Sequence, residues 1–150
     1  MKKMFLLAIV CTITATIFGQ IKQPVNFSFS SIKKAGNTYQ VSITATLEKG
    51  WHIYAQNTPD GGPIPTKISF AKNPFIQLVG KTTEVGKQQT THDKNFGVNV
   101  LYYSNSVVFT QNITLKKPIA TNITGEIEYM LCDDEKCLPP SKKSFSIAIK

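Results

Sequence analysis

The chain has 150 residues and carries 17 basic against 9 acidic side chains, a formal net charge of +8, and every one of its basic residues is a lysine. Without the guanidinium fork that reads phosphates and guanine edges in bidentate fashion, such a chain is a poor reader of nucleic acid. Its lysine pairs, Lys33-Lys34, Lys116-Lys117 and Lys142-Lys143, are dispersed rather than gathered, the pattern of a solvated basic surface.

In chain order, Lys2 and Lys3 precede an uncharged stretch from Met4 to Phe18. A spanning helix needs about 20 apolar residues, so this shorter segment reads as a secretory signal peptide, with cleavage expected after Gly19 although Ile17 is bulky for its position. Lipidation at Cys11 is disfavoured by the bulk of Val10 before it. Removal of residues 1–19 takes Cys11 away and leaves Cys132 and Cys137, free to pair in an oxidising compartment. No second apolar segment of spanning length follows. The expectation is an exported, periplasmic product without a membrane span, a single domain over residues 20–150 that can bury a core without help from disulfides.

The mature part alternates apolar and polar residues: Val25, Phe27, Phe29; then Tyr39, Val41, Ile43, Ala45, Leu47; then Val107, Phe109, Ile113, Leu115; then Ile123, Ile127, Tyr129, Leu131; then Phe145, Ile147, Ile149. A period of two marks half-buried strands. Turn signals separate them at Ala35-Gly36-Asn37, Asp60-Gly61-Gly62-Pro63 and Lys72-Asn73-Pro74. No stretch sustains a helical period. Seven or more short strands punctuated in this way predict an all-β fold, a β-sandwich.

Residue types that suggest chemistry must be weighed against packing. His52 and His92 are the only histidines, and neither stands at a metal-ligand spacing from another candidate, so neither a metal nor a cofactor is expected. No Gly-x-Ser-x-Gly elbow is present for a hydrolase, and no carboxylate pair is recognisable for glycoside chemistry. Trp51, Tyr54, Tyr102 and Tyr103 read first as core or cross-strand packing.

Cys132 and Cys137 stand apart because their bridge would be a weak staple. On the loop-entropy model a six-residue loop gains about 2 kcal/mol, against about 4.7 for one of some 100 residues. The bridge would span only Asp133-Asp134-Glu135-Lys136, a polar hairpin tip, and accessible disulfides of this kind are readily attacked. Pro139-Pro140 follows and cannot belong to a central strand. The local charges differ between the two sulfurs: Lys136 adjoins Cys137, whereas Asp133 and Asp134 follow Cys132 and disfavour a thiolate there.

The run Tyr129-Met130-Leu131-Cys132-Asp133-Asp134-Glu135-Lys136-Cys137-Leu138-Pro139-Pro140 resembles the signature of the N-terminal periplasmic domain of the thiol:disulfide interchange protein DsbD. Gly50-Trp51-His52-Ile53-Tyr54 and Pro65-Thr66-Lys67-Ile68-Ser69-Phe70 resemble that family's early strands. The resemblance implies an immunoglobulin-like sandwich and a redox-active pair, Cys132 and Cys137, with Cys137 forming the mixed disulfide. It implies a thioredoxin-like electron donor, and a periplasmic disulfide isomerase or a cytochrome c maturation protein as acceptor. The activity implied is that of a protein-disulfide reductase acting as a relay. It also implies an aromatic shield over the disulfide, at Phe96 within His92-Asp93-Lys94-Asn95-Phe96-Gly97. The best-known members place five residues between the cysteines where this chain has four, which alters the loop. Two other classes stay open: a non-redox immunoglobulin-like binding module whose bridge only tidies a hairpin, and an exported metal handler using the thiolates.

Overall fold

In the computed structural model of the chain, residues 23–94 and 96–150 are described, and the signal segment expected at residues 1–19 lies outside them. The alternating runs become strands, all paired antiparallel. They are β1 (Val25–Ala35), β2 (Thr38–Leu47), β3 (His52–Tyr54), β4 (Lys67–Phe70), β5 (Ile76–Val85), β6 (Gln88–Asp93), β7 (Val98–Ser104), β8 (Ser106–Leu115), β9 (Thr121–Tyr129), β10 (Leu131–Cys132) and β11 (Ser141–Ile149). Three sheets result, ordered β1-β2-β8-β5, β11-β9-β4 and β10-β3-β7-β6. The fold is all-β, an immunoglobulin-like sandwich.

The alternation decides which faces meet. Val41, Ile43 and Ala45 of β2, Val107, Phe109 and Ile113 of β8, Ile123 and Ile127 of β9, and Phe145 and Ile147 of β11 all point into one core, each fully buried aliphatic stabilising the fold by about 1.5–3 kcal/mol. The apolar period of β8 breaks at Gln111, and the structure explains why. Its amide fills the register shift between Val79 and Thr83 of β5, donating to the carbonyl of Val79 at 3.0 Å and accepting from the Thr82 hydroxyl at 3.0 Å. A buried amide is tolerated because its hydrogen bonds are made.

Gly125 of β9 lies between Phe70 and Phe145 in the register, and those rings meet edge to face at 5.6 Å. A Cβ there would collide with the Ser69 carbonyl and the Phe145 ring, so only glycine lets the two aromatics close over the strand. The outer strands β1 and β11 are joined by the Ser31 hydroxyl, which donates to the Ala148 carbonyl at 2.7 Å.

The third sheet serves two environments. Ile53, Tyr103 and Leu131 project from one of its faces into the main core. Its other face carries a separate small apolar cluster of Tyr54, Val100 and Cys132, flanked by Val98, Tyr102, Met130 and Cys137. The segment 55–66 is tied over that face. Thr58 exchanges hydrogen bonds with the backbone of Leu101 at 2.6 and 3.0 Å, the Thr66 hydroxyl donates to the Tyr54 carbonyl at 2.6 Å, and Gly62 abuts the side chains of Val98 and Val100.

Candidate functional site

Cys132 and Cys137 are joined by a disulfide with their Cα atoms 4.0 Å apart. The local chain makes this pairing natural. Cys132 and Cys137 face each other as an antiparallel bridge, the Leu138 amide donates to the Leu131 carbonyl at 2.8 Å, and the Asp133 amide donates to the Lys136 carbonyl at 2.9 Å. Residues 131–138 therefore form a narrow hairpin. Its tip is clasped by the Asp133 carboxylate, whose Oδ1 accepts the amides of Glu135 at 2.9 Å and Lys136 at 2.7 Å. Those two donors hold the Asp133 carboxyl below its ordinary value.

The hairpin tip is exposed as its polar sequence requires, but the two cysteines are not equally open. Cys132 is 2% exposed, whereas Cys137 is half-buried. This refines the expectation of a bridge displayed wholly at a loop tip: the strand end carries Cys132 into the cluster with Tyr54 and Val100, and Cys137 lies toward solvent. Pro139 and Pro140 are exposed beyond it.

Across the sheet, one row of paired residues runs Cys137, Cys132, His52, Ser104. Directly paired residues project from the same face with Cβ atoms about 4.5–5.5 Å apart, so the His52 side chain projects beside that of Cys132. Its ring lies 4.8 Å from that of Tyr102 and 5.2 Å from that of Tyr54, centroid to centroid. Nε2 is 3.2 Å from the Tyr54 hydroxyl, which in turn donates to Asp93 Oδ2 at 3.5 Å. Burial pushes His52 below its ordinary 6.5, against the opposing pull of Asp134, Asp93 and Asp133. Burial, reinforced by Asp93, pushes the Tyr54 phenol far up. At neutral pH the site thus holds a neutral imidazole and a firmly protonated phenol.

Phe96 lies in the turn joining β6 to β7 and is 36% exposed, so it is not a core residue. Its amide donates to Asp93 Oδ1 at 3.3 Å, and Gly97, with φ at 69°, donates to the Asp93 carbonyl at 2.8 Å. Asp93 therefore links the turn that carries Phe96 to Tyr54 and, through it, to His52. His92, one residue earlier, faces away and pairs its Nδ1 with Asn99 Oδ1 at 3.1 Å. Among the described residues no group of three or more His, Cys, Asp and Glu side chains is placed to hold a metal ion.

Trp51 and Tyr103 pack against or within the main core as their sequence context suggests. Tyr54 and Tyr102 are cross-strand partners in the smaller cluster that holds Cys132, the packing their sequence context suggests. What the sequence did not disclose is that His52 joins them and that Asp93 is tied to Tyr54. The available signal was the alternation itself: in His52-Ile53-Tyr54 the apolar Ile53 marks the core face, which puts the two polar-tipped rings side by side on the other.

The described residues thus form a sandwich that bears a hairpin disulfide on the outer face of a short sheet. The family model described as the N-terminal part of thiol:disulfide interchange protein DsbD matches residues 20–149, and the chain belongs to that family. Among solved structures it is similar to the N-terminal periplasmic domain of ScsB from Proteus mirabilis, with a TM-score of 0.61 and 15% identity over 83% of this chain. It spans 46% of that ScsB chain. The N-terminal domain of Neisseria meningitidis DsbD in its reduced form is also similar, with a TM-score of 0.51 and 15% identity over 81% of this chain and 84% of that one. At such identity these structures bear on the fold alone. No curated protein sequence matches the chain significantly. Family membership and the paired cysteines together support thiol–disulfide interchange, and no helix among the described residues is long and apolar enough to cross a membrane.

Proposed function

We propose that the chain is an exported thiol–disulfide interchange domain, residues 20–150 after loss of a signal peptide at 1–19, working in the periplasm as a protein-disulfide reductase. It takes electrons from a thioredoxin-like donor and passes them to a disulfide isomerase or a cytochrome c maturation protein. The observation that carries this reading is the unequal exposure of the two bonded cysteines, Cys132 buried and Cys137 half-buried. A donor thiolate reaches Cys137 Sγ, forms a mixed disulfide there and expels Cys132 as a thiolate. The donor's second thiol then attacks its own half of that link and releases Cys137, so two electrons enter the pair as the donor dithiol is oxidised. Delivery to an acceptor disulfide runs the same steps in reverse, with Cys137 attacking and Cys132 resolving. Phe96, on a turn fastened through Asp93, is positioned in this reading as a shield against adventitious thiols.

The test is trapping. Cys132→Ser and Cys137→Ser variants are each incubated with a thioredoxin-like donor lacking its resolving cysteine, with the single thiol activated as a mixed disulfide, and run on non-reducing gels. Cys132→Ser should accumulate most of the donor as a stable adduct, and Cys137→Ser at least about tenfold less. Equal trapping would defeat the assignment of roles. Absence of trapping by either, with a disulfide that resists intact donor, would favour the non-redox binding module.

A further inference from the structure

His52 does something that the exchange scheme above leaves unassigned. When Cys132 acts as the resolving group it must lose a proton, yet it is 2% exposed and water is a poor acceptor for a thiol buried in an apolar cluster. The other ionisable groups around this spot are poorly placed for the task. On the hairpin, the Asp133 carboxylate is occupied by two backbone amides and is a weakened base, and Asp134, Glu135 and Lys136 are exposed. On β3 and β7, Tyr54 and Tyr102 are phenols that donate, Tyr54 to Asp93 and Tyr102 to Gln89 Oε1 at 3.4 Å. On β6, Asp93 is engaged with Tyr54 and the Phe96 amide. The remaining basic group is the imidazole directly paired with Cys132 across the β10–β3 ladder.

We propose that His52 is the proton acceptor for the Cys132 thiol in the resolving step. This rests on the exchange reading above. The Cys132 S–H proton passes to the imidazole as Cys132 Sγ attacks the Cys137 half of a mixed disulfide. The new S–S bond takes the electron pair from Cys132, the old bond breaks, and the partner leaves as a thiolate. The imidazolium so formed lies in the field of Asp134, Asp93 and Asp133, carboxylates already in place where positive charge develops. The contact with Tyr54 at Nε2 and the ring of Tyr102 hold the imidazole against rotation. In the opposite direction the imidazole takes up the proton that the attacking donor thiol gives up and passes it to the Cys132 thiolate as it is expelled.

The experiment needs no protein partner. Fully reduced protein is mixed with dithiobis(nitrobenzoate): attack by Cys137 releases one thionitrobenzoate, and resolution by Cys132 releases a second in a later first-order phase. His52→Gln and His52→Phe are compared with the parent across pH 5–9, Phe keeping the ring contacts without a titrating nitrogen, with Cys132→Ser confirming that the second phase belongs to Cys132. Both variants should keep the first phase within about twofold and slow the second by about tenfold or more at neutral pH. In the parent, the second phase should decline on acidification as the imidazole becomes protonated. In the variants it should follow thiol ionisation alone. Variants that retain the parent rate and pH profile in the second phase would overturn the proposal, as would equal slowing of both phases, which marks a merely structural role. The donor-trapping result stands or falls separately, because no thioredoxin-like protein enters this assay.

Discussion

The sheets β1-β2-β8-β5 and β10-β3-β7-β6 are built from the same antiparallel ladder and hold their central residues very differently. In the first, β2 and β8 pair over nine successive positions from Thr38↔Thr114 to Thr46↔Ser106, and the inward face is continuous with the main core. In the second, β10 is held by two ladder pairs and β3 by three to β7, and the outward face carries the disulfide among rings and carboxylates. Long ladders with one apolar face put stability in the first sheet. The short ladder gives the second an outer face whose side chains are free to serve chemistry, as sites on a rigid support usually are. Stability and reactivity should therefore be separable by substitution.

The strongest way to break this comparison is from the core side. Ile43 lies mid-ladder in β2 between Phe29 and Phe109 in the register and is 1% exposed. Ile43→Ala should cost about 2–5 kcal/mol through lost burial and a residual cavity, measured by urea unfolding. Under native conditions its disulfide should still be reduced by small thiols at the parent rate. A large change in that rate would mean the two sheets are coupled.

From the other side, replacing both Cys132 and Cys137 with Ser should cost about 2 kcal/mol by the loop-entropy argument, with a cooperative melt retained. A double variant unfolded at room temperature would show the bridge to be a structural staple. The smallest effect concerns Phe96. Its exposure implies that Phe96→Ala changes stability by less than about 0.5 kcal/mol, as for ordinary surface positions, while reduction by small thiols speeds up several-fold if the ring screens Cys137. A large stability loss with an unchanged reduction rate would remove Phe96 from the site.

How much of this the sequence disclosed follows from which faces are buried. Strands β1, β2, β8, β9 and β11 bury one face, so their alternating residues announced them. Strands β5 and β6 run largely exposed on both faces, so Lys81-Thr82-Thr83-Glu84 and Gln88-Gln89-Thr90-Thr91 carry no apolar period to read. In β7 both faces are covered, Tyr103 by the main core and Val100 by the segment around Gly62, and apolar residues in succession blur the alternation. The cysteine pair was legible because both members sit in one hairpin. His52 and Tyr102 come to the cluster of Cys132, and Asp93 to Tyr54 within it, from strands 30 to 80 residues earlier in the chain, and only the sheet order brings them there. The expected signal peptide falls outside the described residues, and the separate roles of Cys132, Cys137 and Phe96 rest on the experiments above.

The Asp133 clasp has a consequence for the reduced protein. None of the hydrogen bonds that shape the hairpin, from Leu138 to Leu131, from Asp133 to Lys136, and from Glu135 and Lys136 to the Asp133 carboxylate, involves sulfur. Cutting the disulfide breaks none of them directly, so the hairpin should keep its shape when reduced. The two thiols then face each other at the high effective molarity of a preformed intramolecular pair, so ring closure loses little chain entropy. On the proposed exchange reading, the pair would open and close with little reorganisation of the hairpin backbone.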